Sequence, residues 1–116
     1  MKNKVNFRQE LTIKADEYEK NINIAEEIEN IKNKLEGCFY KREYIVSLVK
    51  VTKSTVAIGH YNATHTSIFI PYGIAPLHYR QLFINELQKL GFSEECMELS
   101  VEKYPCFDSY DIKLKW

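Results

Sequence analysis

Glycine, proline and cysteine are scarce in this chain of 116 residues, at four, three and three. Each scarcity excludes something. With so few glycines there is no phosphate-cradling G-x-x-x-x-G-K or G-x-G-x-x-G loop, and G-x-S-x-G, H-E-x-x-H and C-x-x-C are absent as well. Cys38, Cys96 and Cys106 are odd in number and lie 58 and 10 residues apart, which suits neither a disulfide framework nor a paired metal knuckle, so free thiols are expected. Cys106 has no base nearby in sequence to activate it. No stretch is rich enough in proline and glycine to act as a linker. No hydrophobic run approaches the ~20 residues of a membrane helix. The first ten residues are polar and lack a signal-peptide core, so the cytoplasm is expected, with no membrane partner. Arginine occurs three times against 13 lysines, beside plentiful Ile and Asn, a usage that AT-rich genes produce.

What is present is globular in composition. Hydrophobic residues make up 45% and aromatics 13%, and 16 basic side chains balance 16 acidic ones, far from the low-hydrophobicity, high-charge pattern of disordered chains. The length suits one domain over 1–116. An N-terminal helical segment is expected over 1–42. There Phe7, Leu11, Ala15, Tyr18 and Ile22 follow helical steps, although residues 11–14 also fit a short strand. Ile24, Ile28, Ile31 and Leu35 repeat the helical steps between an Asn23/Glu26 capping pair and Gly37.

From 43 to 72 the period becomes two, in runs at 44–52, 55–61 and 64–70, which predicts an antiparallel meander. Pro76, a stripe of Tyr79, Leu82, Phe83, Leu87 and Leu90, and Gly91 predict a helix over 75–91. Met97, Leu99 and Val101, then Tyr110, Ile112, Leu114 and Trp116, alternate with polar residues across 105–109, predicting a hairpin over 96–116 with Trp116 in the core. The expected fold is therefore α+β, an antiparallel sheet of about five strands in the order (α)αβββαββ with helices packed on it. Both faces of the meander carry apolar residues. The 75–91 helix would cover one, and the N-terminal helices or a second copy of the chain, in a homodimer, the other.

The αβββα order resembles that of the double-stranded RNA-binding domain. Where that family places a lysine cluster, residues 75–80 read Ala-Pro-Leu-His-Tyr-Arg, with one fixed positive charge. The resemblance stops at topology and implies no function.

Charge is distributed unevenly along the chain. Residues 44–92 carry four basic groups and one acidic, while residues 93–116 carry three and six. If two-residue turns connect the meander, Ser47 faces His60 and His60 faces His65, gathering Ser47, His60, His65 and Ser67 on one face. Two such imidazoles can share an ion or shuttle a proton. No Asp, Glu or Cys stands within ten residues of them, so neither a metal nor any other cofactor is expected. His65-Thr66-Ser67-Ile68 resembles a motif of the two-histidine phosphoesterases, which need two such motifs. Neither 60–62 nor 78–80 supplies a second.

These features lead to a non-enzymatic binding or inhibitor module that acts by protein–protein interaction, of the kind phages and mobile elements encode against host defence. Its candidate binding residues are Ser47, Lys50, Lys53, His60, Tyr61, His65, Ser67, His78 and Arg80, with no catalytic residue. Two alternatives accompany it. One is a nucleic-acid binder gripping phosphates through Lys50, Lys53 and Arg80 beside the Tyr/His cluster, and the other is a small hydrolase centred on His60 and His65.

Overall fold

A computed structural model describes residues 6–53 and 63–116. Helix α1 (Phe7–Lys20) opens on a capping box: Gln9 N donates to Asn6 Oδ1 at 2.8 Å and Asn6 N to Gln9 Oε1 at 3.0 Å. Residues 11–14 are therefore helical. The chain breaks at Asn21, and Asn23 Oδ1 accepts from Ala25 N at 2.8 Å at the entry to α2 (Ala25–Gly37). A short 3₁₀ turn (Phe39–Lys41) then leads into Arg42, whose φ of 59° lies in the left-handed region.

Strands β1 (Glu43–Val51) and β2 (His65–Phe69) precede α3 (Pro76–Lys89), and β3 (Met97–Lys103) and β4 (Phe107–Lys115) follow it. Proline at its first turn and Gly91 just beyond it, at φ 106°, bound α3 as the sequence pattern predicts.

The four described strands form one sheet in the order β2-β1-β4-β3, and the sheet is mixed. Strands β1 and β2 run parallel, with Ile45 opposite His65 and Val49 opposite Phe69, whereas β1–β4 and β4–β3 are antiparallel. This corrects the expected antiparallel meander. Strand β2 bonds directly to β1, and parallel neighbours cannot be joined by the two-residue turns that a meander assumes. The run expected at 55–61 lies outside the described residues, and four strands stand among the described residues where about five were expected for the chain.

Alternation decides which side chains reach the core. Tyr44, Val46 and Leu48 of β1 and Ile112 and Leu114 of β4 share one face, beneath Ile28 and Ile31 of α2 and Tyr79, Phe83, Ile84 and Leu87 of α3. Each such burial contributes about 1.5–3 kcal/mol. Because α2 and α3 lie in the same core, the N-terminal helices do not cover the opposite face as expected. Helix α1 buries no residue at all.

Trp116 also departs from expectation, at 36% exposed. Its ring meets Phe92 edge-on at 6.3 Å, its Nε1–H donates to Phe39 O at 2.8 Å and its backbone N to Arg42 O at 3.1 Å. It clasps the end of the sheet, beside a cavity it shares with Leu35 and Glu36 of α2.

Tyr44 and Tyr79, both buried, are held above the ordinary tyrosine pKa of 10.0, in each case chiefly by burial. A hydrogen bond with Thr66 opposes the rise at Tyr44, and Glu27 adds to it at Tyr79. The fold thus favours the neutral phenols. Their contribution to stability is complete below the unfolded pKa and is lost as pH rises through the folded values. Of the eight tyrosines, these two should ionise only as the chain unfolds in alkali. Tyrosinate absorbance followed against pH checks this, and Tyr44→Phe and Tyr79→Phe should each remove one late titration.

Candidate functional site

The parallel pairing places odd-numbered residues of β1 and β2 on the face away from α2 and α3. Ser47 lies opposite Ser67 on one side and Asp111 on the other. Its Oγ is 2.6 Å from His65 Nε2. Asp111 Oδ1 accepts from Ser109 Oγ at 2.5 Å, and Ser100 of β3 lies opposite Asp111. A polar band of small hydroxyls, one imidazole and one carboxylate therefore crosses all four described strands.

Three expected site residues, Ser47, His65 and Ser67, are brought together here, by a route other than the expected one. His60 and Tyr61 lie outside the described residues. Ser47 was expected to reach His65 through His60, whereas the parallel register sets it directly against His65. The remaining expected residues have other neighbours. Lys50 is exposed at the rim of a cavity it shares with Phe69 and Tyr72, and Lys53 is exposed just beyond β1. His78 Nε2 is 3.5 Å from Glu19 Oε2 of α1. Arg80 Nη1 donates to Ser100 O at 3.0 Å. Burial lowers the pKa of that guanidinium, partly offset by Asp111 and Tyr110.

A hydroxyl on an imidazole nitrogen is the beginning of a nucleophile–base pair, but a nucleophile must meet its substrate. Ser47 is only 2% exposed, and the carboxylate beside it is engaged by the Ser109 hydroxyl. The contact instead pins β2 to β1, since a slip of one residue would turn His65 and Ser67 to the other face. Among the described residues no group of three or more His, Cys, Asp or Glu is placed to hold a metal ion, and no helix is long and apolar enough to cross a membrane.

Ser67 Oγ is buried without a hydrogen-bond partner among the described residues. An unsatisfied buried hydroxyl costs about 1–3 kcal/mol, so Ser67→Ala should leave stability unchanged or raise it by up to about 1 kcal/mol. Ser47→Ala, which takes a hydroxyl from His65, should instead lose about 1–2 kcal/mol. Urea unfolding of the two variants side by side checks the contrast.

Several exposed apolar groups were not among the expected site residues, Tyr72 at 98% exposed the foremost. On α1, Phe7 is 72% exposed, Leu11 50%, Ile13 49% and Tyr18 46%. Phe39 and Tyr40 stand out beside the 3₁₀ turn, as do Leu99 and Val101 on β3. The α1 stripe was visible as a period, but a period does not say what covers it. No known family model matches the chain, and no match was found among curated proteins or solved structures.

Proposed function

We propose that the chain is a non-enzymatic binding module that acts through contact with a protein partner. The observation that carries this reading is α1, a 14-residue helix with no fully buried residue, which leaves Phe7 72% exposed and Leu11 and Tyr18 about half exposed. Isolated helices of that length are marginal in water and draw most of their stability from a packed apolar face. Among the described residues, α1 is tied to the body of the molecule by the Tyr18 hydroxyl, which donates to Tyr72 O at 3.1 Å, and by the Glu19–His78 pair. Exposed apolar patches on soluble proteins mark interaction surfaces. Small size and the lysine-, isoleucine- and asparagine-rich usage suit the accessory and inhibitor proteins of phages and mobile elements.

The test is capture by the tagged full chain from a lysate of the cells that naturally carry it, with and without nuclease. A stoichiometric protein partner that survives nuclease is expected. Loss of all captured material on nuclease treatment would favour the nucleic-acid alternative built on Lys50, Lys53 and Arg80, whose phosphate contacts would also weaken steeply with salt.

A further inference from the structure

Strand β3 ends the sheet, so one of its sides has no neighbouring strand among the described residues. At the hairpin end Tyr104 N donates to Phe107 O at 2.8 Å. Antiparallel ladders alternate, so residues 98, 100 and 102 turn their N–H and C=O groups toward β4, whereas Leu99 and Val101 turn theirs outward. The side chains of the same two residues lie on the helix face, 50% and 44% exposed. Leu99 and Met97 face Ile84, Gln81 and Gln88 of α3 across a cavity of about 310 Å³. Among the described residues an unpaired strand edge therefore runs along a groove walled by a helix, with Ile84, Met97 and Leu99 as its apolar lining and Gln81, Gln88 and Glu94 as its polar lining. Glu98 and Glu102 are exposed on the opposite face of β3, where Glu98 is paired with Lys115 of β4 and the Glu102 carboxylate accepts from the Tyr104 hydroxyl at 2.5 Å.

From this arrangement we propose that the β3–α3 groove takes an extended segment of a partner protein as an added strand, a segment whose residues alternate between apolar and basic. The proposal rests on the protein-binding reading and names one surface for it. Main-chain bonds to Leu99 and Val101 would hold the segment, and side-chain alternation would select it. Its apolar side chains would enter the cavity against Leu99 and Ile84. Its basic ones, emerging on the other face, would meet Glu102, since Glu98 is held by Lys115.

A second copy of β3 is a poorer occupant. The antiparallel register that pairs all seven residues sets Glu98 against Glu102 twice, and like charges directly opposite are destabilising. Arg80 does not close the edge, because the carbonyl it engages, that of Ser100, belongs to the set turned toward β4.

The test is an NMR titration of the labelled full chain with a short synthetic peptide alternating valine and lysine, beside its valine–glutamate counterpart. Shift changes and slowed amide exchange should concentrate at Leu99 and Val101, with the glutamate peptide about tenfold weaker or worse. Val101→Pro removes an outward N–H that the β4 ladder does not use, so it should abolish binding while the β4 amide spectrum stays native. The Glu102→Lys variant, which leaves the Glu98–Lys115 pair in place, gives an independent check on the folded chain, since it should remove the preference for the lysine peptide. No binding of the valine–lysine peptide at millimolar concentration, equal affinity for both peptides, or shifts centred away from β3 would overturn the proposal. If the peptide fails while nuclease-resistant capture persists, the groove is rejected and the protein-binding reading stands. If capture itself fails, that reading falls first.

Discussion

Replacing Phe83 by alanine is expected to remove about 3–5 kcal/mol of stability. Phe83 is fully buried in the middle of α3, where it belongs to the same cluster as Ile31, Leu48, Ile112 and Leu114. Truncation forfeits the transfer of a whole ring and leaves a cavity that a sheet on one side and α2 on the other cannot readily collapse into. It also removes the edge-to-face contact with Tyr79, at 5.1 Å between centroids and 67° between planes, worth about 0.5–1.5 kcal/mol beyond area alone. Phe83→Leu keeps most of the volume and should cost less than about 2 kcal/mol. Domains of this kind hold about 5–15 kcal/mol in total, so the alanine variant gives up a large share of that margin. Urea titration checks this. A loss under about 1 kcal/mol would show that α3 is not the element that closes the core.

Helix α3 was legible because three independent signals agreed: a proline that tolerates the first turn, a stripe of aromatic and leucine side chains, and a glycine at the left-handed exit. The C-terminal hairpin was legible because strict alternation fixes both the strands and the face each residue takes, and β3 and β4 occupy 97–103 and 107–115. Partner choice was not. Period two in residues 44–52 and 64–70 fits a parallel neighbour as well as a hairpin neighbour, and what occupies the other side of β1 is β4, from the far end of the chain, paired along nine residues.

The candidate site was half legible for the same reason. Parity within β2 sets His65 and Ser67 on one face, but whether Ser47 shares it and which hydroxyl meets the imidazole depend on register, a tertiary property. Trp116 shows the limit of alternation at a strand end. Its ring meets Phe92 and shares a cavity with Leu35 and Glu36 of α2, yet it stays 36% exposed. In α1 the helical steps gave the helix and its stripe, while the absence of cover is visible only in three dimensions.

The second large effect is expected in α1 and concerns binding. Phe7 and Leu11 are exposed and take no part in the core cluster, and the tether of α1 to the body runs through Tyr18 and Glu19. Phe7→Ser with Leu11→Ser should therefore change stability by no more than about 0.5 kcal/mol. If a protein partner buries these two side chains, each contributes about 1.5–3 kcal/mol to the complex. Their joint loss then corresponds to an affinity about a hundredfold lower or worse. The decisive measurement is paired: the thermal melt of this double variant, and its capture of the nuclease-resistant partner beside that of the unaltered chain. An unchanged melt with the partner lost is the predicted result. A partner retained at full yield, or a melt lowered by as much as a core substitution lowers it, would contradict the assignment of α1 as the docking element.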